Sequence, residues 1–312
     1  MKKIIFTITI FITTNSFAQT EMDGLFMMKK LNCVGVTYTG SSWKNYWEGT
    51  FKRDNANLGK VSNNNVMLNN NYGITDKLNV IFTLPYIKTK ASAGQLAGQK
   101  GIQDLSLYVK WAAKEKQFKK SILKGILVGG VSIPLTKYTP DLLPLSIGLQ
   151  SKTASLRAMV DFQQNNWFGT ASGTFIYRGN VTLDRNTYYT TELNYSNKVA
   201  MPNVLNFNIR GGYRSETWII EAILNRWTTK GGFDISKNNA PFVSNKMNTT
   251  TAGIHIKYET NFVDGLSFVA DGMTTLKGRN VGQTNGYTLG AFYIMDFSKK
   301  KKETKPTDAT KK

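Results

Sequence analysis

Segment after segment of this chain alternates one apolar residue with one polar residue, and this period of two constrains the fold more than any other feature. Leu205, Phe207, Ile209, Gly211 and Tyr213 interleave with Asn206, Asn208, Arg210, Gly212 and Arg214. In an extended segment the two sets lie on opposite faces of a sheet. The apolar set suits hydrocarbon and the charged set suits a wet interior, which is the pattern of a transmembrane β-barrel strand. Leu105, Leu107, Val109 and Trp111 repeat it against Asp104, Ser106, Tyr108 and Lys110. So do Leu156, Ala158, Val160 and Phe162 against Ser155, Arg157, Met159 and Asp161. In a bilayer every backbone amide must be paired within the protein, so such strands have to close on themselves. The fold class predicted is therefore all-β: a transmembrane antiparallel up-and-down barrel of about twelve strands.

A soluble sandwich also alternates, but its apolar face is a core and its edges need protection. Aromatic residues at the strand ends separate the two cases. Tyr72, Tyr86, Trp111, Trp167, Tyr177, Tyr213, Trp218 and Trp227 are placed to form girdles at the two membrane interfaces.

The ends of the chain agree with export. Lys2 and Lys3 precede an apolar run over 4–12, and Ser16-Phe17-Ala18 precedes Gln19. This reads as a signal peptide over 1–18, with the mature chain starting at about Gln19 and residing in the outer membrane. The apolar run is too short to span a bilayer as a helix. Residues 19–30 are expected as a short periplasmic lead-in, 31–297 as the barrel, and 298–312 as a disordered Lys-rich periplasmic tail. That tail carries seven lysines against Glu303 and Asp308, a composition that does not bury a core.

Strands are predicted over 31–39, 62–73, 77–88, 102–112, 121–133, 152–163, 167–178, 204–214, 217–227, 247–259, 265–275 and 286–297. Short connections such as Ile74-Thr75-Asp76-Lys77 and Gln164-Asn165-Asn166 alternate with long ones, matching short periplasmic turns and long outer loops. An even strand count leaves both termini on the periplasmic side. Residues 113–120 are expected as a somewhat longer turn.

Chemistry is sparse. Cys33 and His255 are the only residues of their kinds, so no disulfide framework can form and a lone histidine makes a poor metal site. No serine pattern accompanies His255, no glycine-rich loop opens a helix, and no cofactor, metal or catalytic site is expected. The candidate site is instead the lumen. Its expected lining comprises Asp104, Lys110, Arg157, Asp161, Arg178, Arg210, Arg214, Glu221, His255, Lys257 and Glu259. Opposite charges in a confined lumen usually pair, so stiffening of the wall competes with solute selection as their role. Tyr108, Ile176, Ile219 and Phe292 add an apolar component to the same register.

The net charge of +20 favours anionic partners. For an exported barrel these are outer-membrane lipid and lipopolysaccharide, not nucleic acid. The closing segment, with Thr288, Gly290, Tyr293, Met295 and Phe297, looks like the last-strand signal read by the barrel-insertion machinery.

Residues 72–86 (YGITDKLNVIFTLPY) and 101–111 (GIQDLSLYVKW) resemble the family named for a putative MetA pathway of phenol degradation. Gly286 to Phe297 is compatible with that family's closing strand, whereas Gln103 stands where the family often has glycine. The resemblance implies an outer-membrane barrel that transports small, often aromatic molecules. In physical terms Gly73, Thr75 and Asp76 are turn formers, and Pro85 is expected to end or edge its strand. Two functions from different classes are expected: a non-enzymatic transport protein or channel for small molecules, aromatic or anionic ones among them, or a structural or surface barrel whose basic outer loops bind lipopolysaccharide or another cell-surface partner.

Overall fold

The computed structural model describes residues 20–236 and 239–298. The expected signal peptide and nearly all of the expected tail lie outside the described residues.

Twelve strands form the wall: β1 Leu31–Trp43, β2 Val61–Thr75, β3 Leu78–Ala91, β4 Asp104–Phe118, β5 Ser121–Pro134 and β6 Thr153–Gln164, then β7 Trp167–Arg178, β8 Asn203–Arg214, β9 Trp218–Lys230, β10 Asn248–Glu259, β11 Leu266–Arg279 and β12 Asn285–Asp296. Each pairs antiparallel with the next. β12 returns to β1 with Leu31 opposite Asp296 and Ser42 opposite Asn285, so the sheet closes. Closure leaves no strand edge, as a bilayer requires. Strands of 12 to 15 residues exceed the roughly 9–11 that cross the hydrocarbon. The wall therefore projects beyond it.

Accessibility follows the period of two. On β6, Leu156 and Val160 are 62% and 52% exposed, whereas Arg157 and Asp161 are 8% and 2%. On β8, Phe207 and Ile209 face out and Asn206 and Asn208 face in. The apolar exterior is thus the lipid-facing wall, and the buried polar set lines the interior.

Several expectations are corrected. Residues 113–118 extend β4 rather than forming a loop, so the β4–β5 hairpin turns in two residues after a bulge between Ala112 and Lys114. Gly73 lies inside β2 at a second bulge and does not form the turn. Pro85 neither ends nor edges β3. It sits mid-strand, where the ladder to β4 breaks off at Ser106 and resumes through residues 100–102, with the Gln103 amide donating to the Pro85 carbonyl at 2.9 Å. A residue without an N–H is tolerated at such a break. Trp227 does not join a girdle. It lies in the inward register of β9 opposite Asn206, because β9 carries Ile220, Ala222 and Leu224 on its outer face and Trp227 is three residues from Leu224, hence on the other face.

The largest difference concerns the expected lead-in. Residues 20–30 do not precede the barrel as a free segment but run inside it. Met27 packs with Leu31, Cys33, Val269 and Phe292, and Phe26 packs against Ile126, Val128 and Met159. All of these wall residues face inward.

Candidate functional site

The interior divides into a filled end and an open one. At the short-turn end the segment 20–30 is hydrogen-bonded by side chains from three strands, β3, β4 and β6. Lys110 of β4 has no exposed surface, and its ammonium donates to Thr20 O (2.8 Å), Leu25 O (2.7 Å) and Asp23 Oδ1 (3.0 Å). Asn79 of β3, equally buried, accepts from the Met27 amide through Oδ1 (2.9 Å) and donates through Nδ2 to the Met27 carbonyl (2.8 Å). Arg157 of β6 donates from Nη1 to Glu21 O at 2.6 Å and from Nε to Thr174 Oγ1 at 2.7 Å. The Lys30 amide bonds Gly73 O on β2. A Cβ at Gly73 would collide with Met28 O, and one at Gly24 would collide with the Asp161 carboxylate. Glycine at both positions lets backbone and wall come into contact.

Asp23 organises this plug. Its carboxylate accepts from the Thr20 and Leu25 amides at 2.6 and 2.9 Å, folding the segment into a turn around the Lys110 ammonium. Burial alone would raise the Asp23 pKa. The facing lysine and the two amides outweigh it and hold the carboxyl below its usual range.

Other lumen charges pair along the wall. Arg210 meets Glu221 at 2.6 Å and Arg214 meets Asp161 at 3.2 Å. Lys257 pairs with Glu259, and His255 with Asp271. Arg214 also lies 3.6 Å above the Phe168 ring.

Beyond the plug lies a cavity of about 410 Å³, floored by Thr20, Met22, Asp23 and Leu25. Met22, Leu25, Met67, Ile223 and Phe292 supply apolar surface, while the Arg210–Glu221 and His255–Asp271 pairs and the Asn69, Asn208 and Asn225 amides supply polar groups. That volume is within the range of small-molecule sites, and so is the mixture of lining groups.

Toward the long-loop end, Arg178 places its guanidinium over the inward Trp227 ring at 5.4 Å. No carboxylate pairs with Arg178 among the described residues. The loops here are folded rather than loose. The 179–202 and 231–247 loops share an apolar cluster of Val181, Leu183, Val199, Met201 and Val243. The 135–152 loop is strapped to the inner wall, with Leu145 buried and its carbonyl accepting from the inward Thr89 hydroxyl. Tyr138 donates to Asp104 at 2.8 Å and accepts from the Gln150 amide. Burial and the neighbouring Asp104 carboxylate push the Tyr138 hydroxyl well above its ordinary pKa.

All eleven candidate lumen residues thus lie in the inward register, but the structure does not gather them into one site. Lys110 and Arg157 hold the plug, and Asp161 packs against it. Asp104 anchors a loop. Arg210, Glu221 and His255 line the cavity, and Arg178 stands apart beside Trp227. The plug residues Asp23 and Met27, the Asn79 amide that binds Met27, and the role of Trp227 were not anticipated. One signal was available: Lys110 is inward, and no neighbouring strand offers it a carboxylate.

No family model matches the chain, and no curated protein matches it. Among solved structures it is similar to the COG4313 outer membrane channel from Pseudomonas putida F1, at 16% identity with a TM-score of 0.67, over 88% of this chain and 98% of that one. The chain folds as an outer-membrane β-barrel. The translocator domain of autotransporter NalP from Neisseria meningitidis aligns at 13% identity over 86% of this chain and 90% of that one, with a TM-score of 0.48. The TodX deltaS2S3 mutant monoaromatic hydrocarbon channel aligns at 9% over 87% and 91%, with a TM-score of 0.45.

Proposed function

We propose that this protein is a non-enzymatic outer-membrane transport protein for small molecules, closed at one end by its own segment 20–30. The observation that carries the proposal is the 410 Å³ cavity between the plug and the folded outer loops. A barrel kept only for structure has no need of such a void, since small barrels fill their interiors with side chains. The similar fold of a protein described as an outer membrane channel supports the same reading. So does the resemblance of residues 72–111 to the MetA-pathway family, whose membership forms part of this proposal.

The chemistry of the path defines the solute class. A molecule entering from the long-loop end meets Arg178 on Trp227, a cation on an aromatic face, and then a cavity that mixes apolar side chains with paired charges. An aromatic or aliphatic body with one anionic group suits both, because the guanidinium, which has no carboxylate partner among the described residues, takes the anion and the apolar lining takes the body. Leaving through the short-turn end requires the segment 20–30 to move. Uptake of a labelled aromatic acid and of a hydrophilic sugar, compared between cells with and without the protein, tests this reading. Faster uptake of the acid supports it. Equal uptake of both solutes in the two strains contradicts it.

A further inference from the structure

The outer face of β2 and β3 carries a cluster of cations that the transport path does not use. Lys88 and Lys90 occupy the outward register of β3, alternating with inward Ile87 and Thr89. Lys100 lies directly opposite Lys88 across the ladder. Ser62 and Asn64 of β2 oppose Lys90 and Lys88, and Lys60 continues their outward row. All four lysines are exposed, and none is in an ion pair among the described residues. The only acid between residues 55 and 103 is Asp76, in the turn at the opposite end of these strands.

Like charges facing each other across a ladder are unfavourable unless something neutralises them. Their height on the wall indicates what does. Lys88 lies two residues, about 7 Å, beyond the lipid-facing Tyr86, whose ring is 45% exposed. Tyr38 and Tyr287 form the neighbouring part of the same aromatic band, 6.2 Å apart. Aromatic bands mark the level of the headgroups. Beside the lysines a recess of about 400 Å³ is lined by Ser42, Lys60, Ser62, Asn64 and Tyr287, hydroxyl and amide groups that suit a sugar.

The geometry points to a binding site for a phosphorylated glycolipid of the outer leaflet, with its phosphates on Lys60, Lys88, Lys90 and Lys100 and its sugar in the recess. Charge complementarity supplies the attraction. The tyrosine band places the acyl chains against the apolar wall below. The assignment rests on the outer-membrane placement, with the long loops outside, but not on what passes through the lumen.

Native mass spectrometry of the refolded barrel in a neutral detergent tests it, with diphosphoryl lipid A, its dephosphorylated form, phosphatidylglycerol and inorganic phosphate as probes. The diphosphoryl lipid should bind in preference to the other three. The variant K60Q/K88Q/K90Q/K100Q should lose affinity on the order of tenfold or more. A control variant at the other end of the barrel, K116Q/K119Q/K120Q, should bind as the parent does. All four lysines are exposed, so heat-modifiable migration should show the variant folded. Undiminished binding by the folded quadruple variant overturns the site, and so does equal binding of phosphatidylglycerol. Because the lumen is untouched, solute uptake by the same variant remains at the parental level if the transport reading holds, whichever way the lipid result falls.

Discussion

The two halves of the lumen are built from the same inward-facing register yet behave as different materials. At the short-turn end Lys110, Arg157 and Asn79 bind the backbone of the segment 20–30, and Lys110 its Asp23 carboxylate as well. At the other end the Arg178 guanidinium lies over the Trp227 ring, and no carboxylate pairs with it among the described residues. Strand period decides which way a side chain faces. It does not decide whether that side chain is a fastening or a site, because this depends on whether another part of the chain arrives to satisfy it. A buried ammonium with three acceptors fixes a plug, whereas a guanidinium on an aromatic face with no carboxylate remains available for a solute.

The comparison breaks most visibly if the fastening is removed. Lys110→Met leaves the Asp23 carboxylate with the Thr20 and Leu25 amides but no cation to offset its burial, and breaking a buried pair in this way costs about 3–5 kcal/mol. The plug relieves this by leaving. Cys33, 2% exposed and packed against Met27, is then uncovered and reports the event. We expect thiol labelling of Cys33 to be slow in the parent and to rise by roughly two orders of magnitude in the variant, since each 1.4 kcal/mol is worth tenfold. Unchanged labelling would show that Lys110 does not hold the segment.

Gly24→Val acts on the same contact sterically. Its Cβ collides with Asp161, and overpacking of this kind costs about 1–3 kcal/mol. Cys33 labelling should therefore rise, by less than in Lys110→Met.

The acid limit of the plug is set by Asp23. Its carboxyl pKa is held below the ordinary value of 3.8, so its contribution is fully present above that value and is lost as pH falls through the lowered one. Labelling of Cys33 by a pyridyl disulfide, which still reacts with thiols in acid, should therefore stay slow at pH 5 and rise only below about pH 4. Release at pH 6 would assign the fastening to another group.

The smallest effect is expected at the open end. Arg178→Gln should shift ion selectivity toward cations with the melting temperature nearly unchanged, because it breaks no ion pair. Arg210→Gln deprives Glu221 of its partner at 2.6 Å and should lower stability as well. Equal stability losses in the two variants would erase the distinction between fastening and site.

The wall was legible in the sequence because its information is local. Alternation over 204–214 or 152–163 specifies two faces, and turn residues at fixed intervals specify hairpins, so strand number and closure followed. Long-range partners were not legible. Lys110 read as one of a set of balancing lumen charges, yet its partner Asp23 lies 87 residues away, in a stretch with no strand pattern. Trp227 read as a girdle residue from its position near a strand end. Counting register from Leu224 would have turned it inward. Gly73 read as a turn former by residue type, whereas its role is to let Met28 approach.

The central claim is that residues 20–30 close an otherwise open transport barrel. Planar-bilayer conductance of the mature chain and of a chain lacking residues 20–29 tests it directly. The account predicts small or infrequent openings for the mature chain and a large, steady conductance for the shortened one. Identical conductance in the two, with both barrels heat-modifiable and folded, would contradict it.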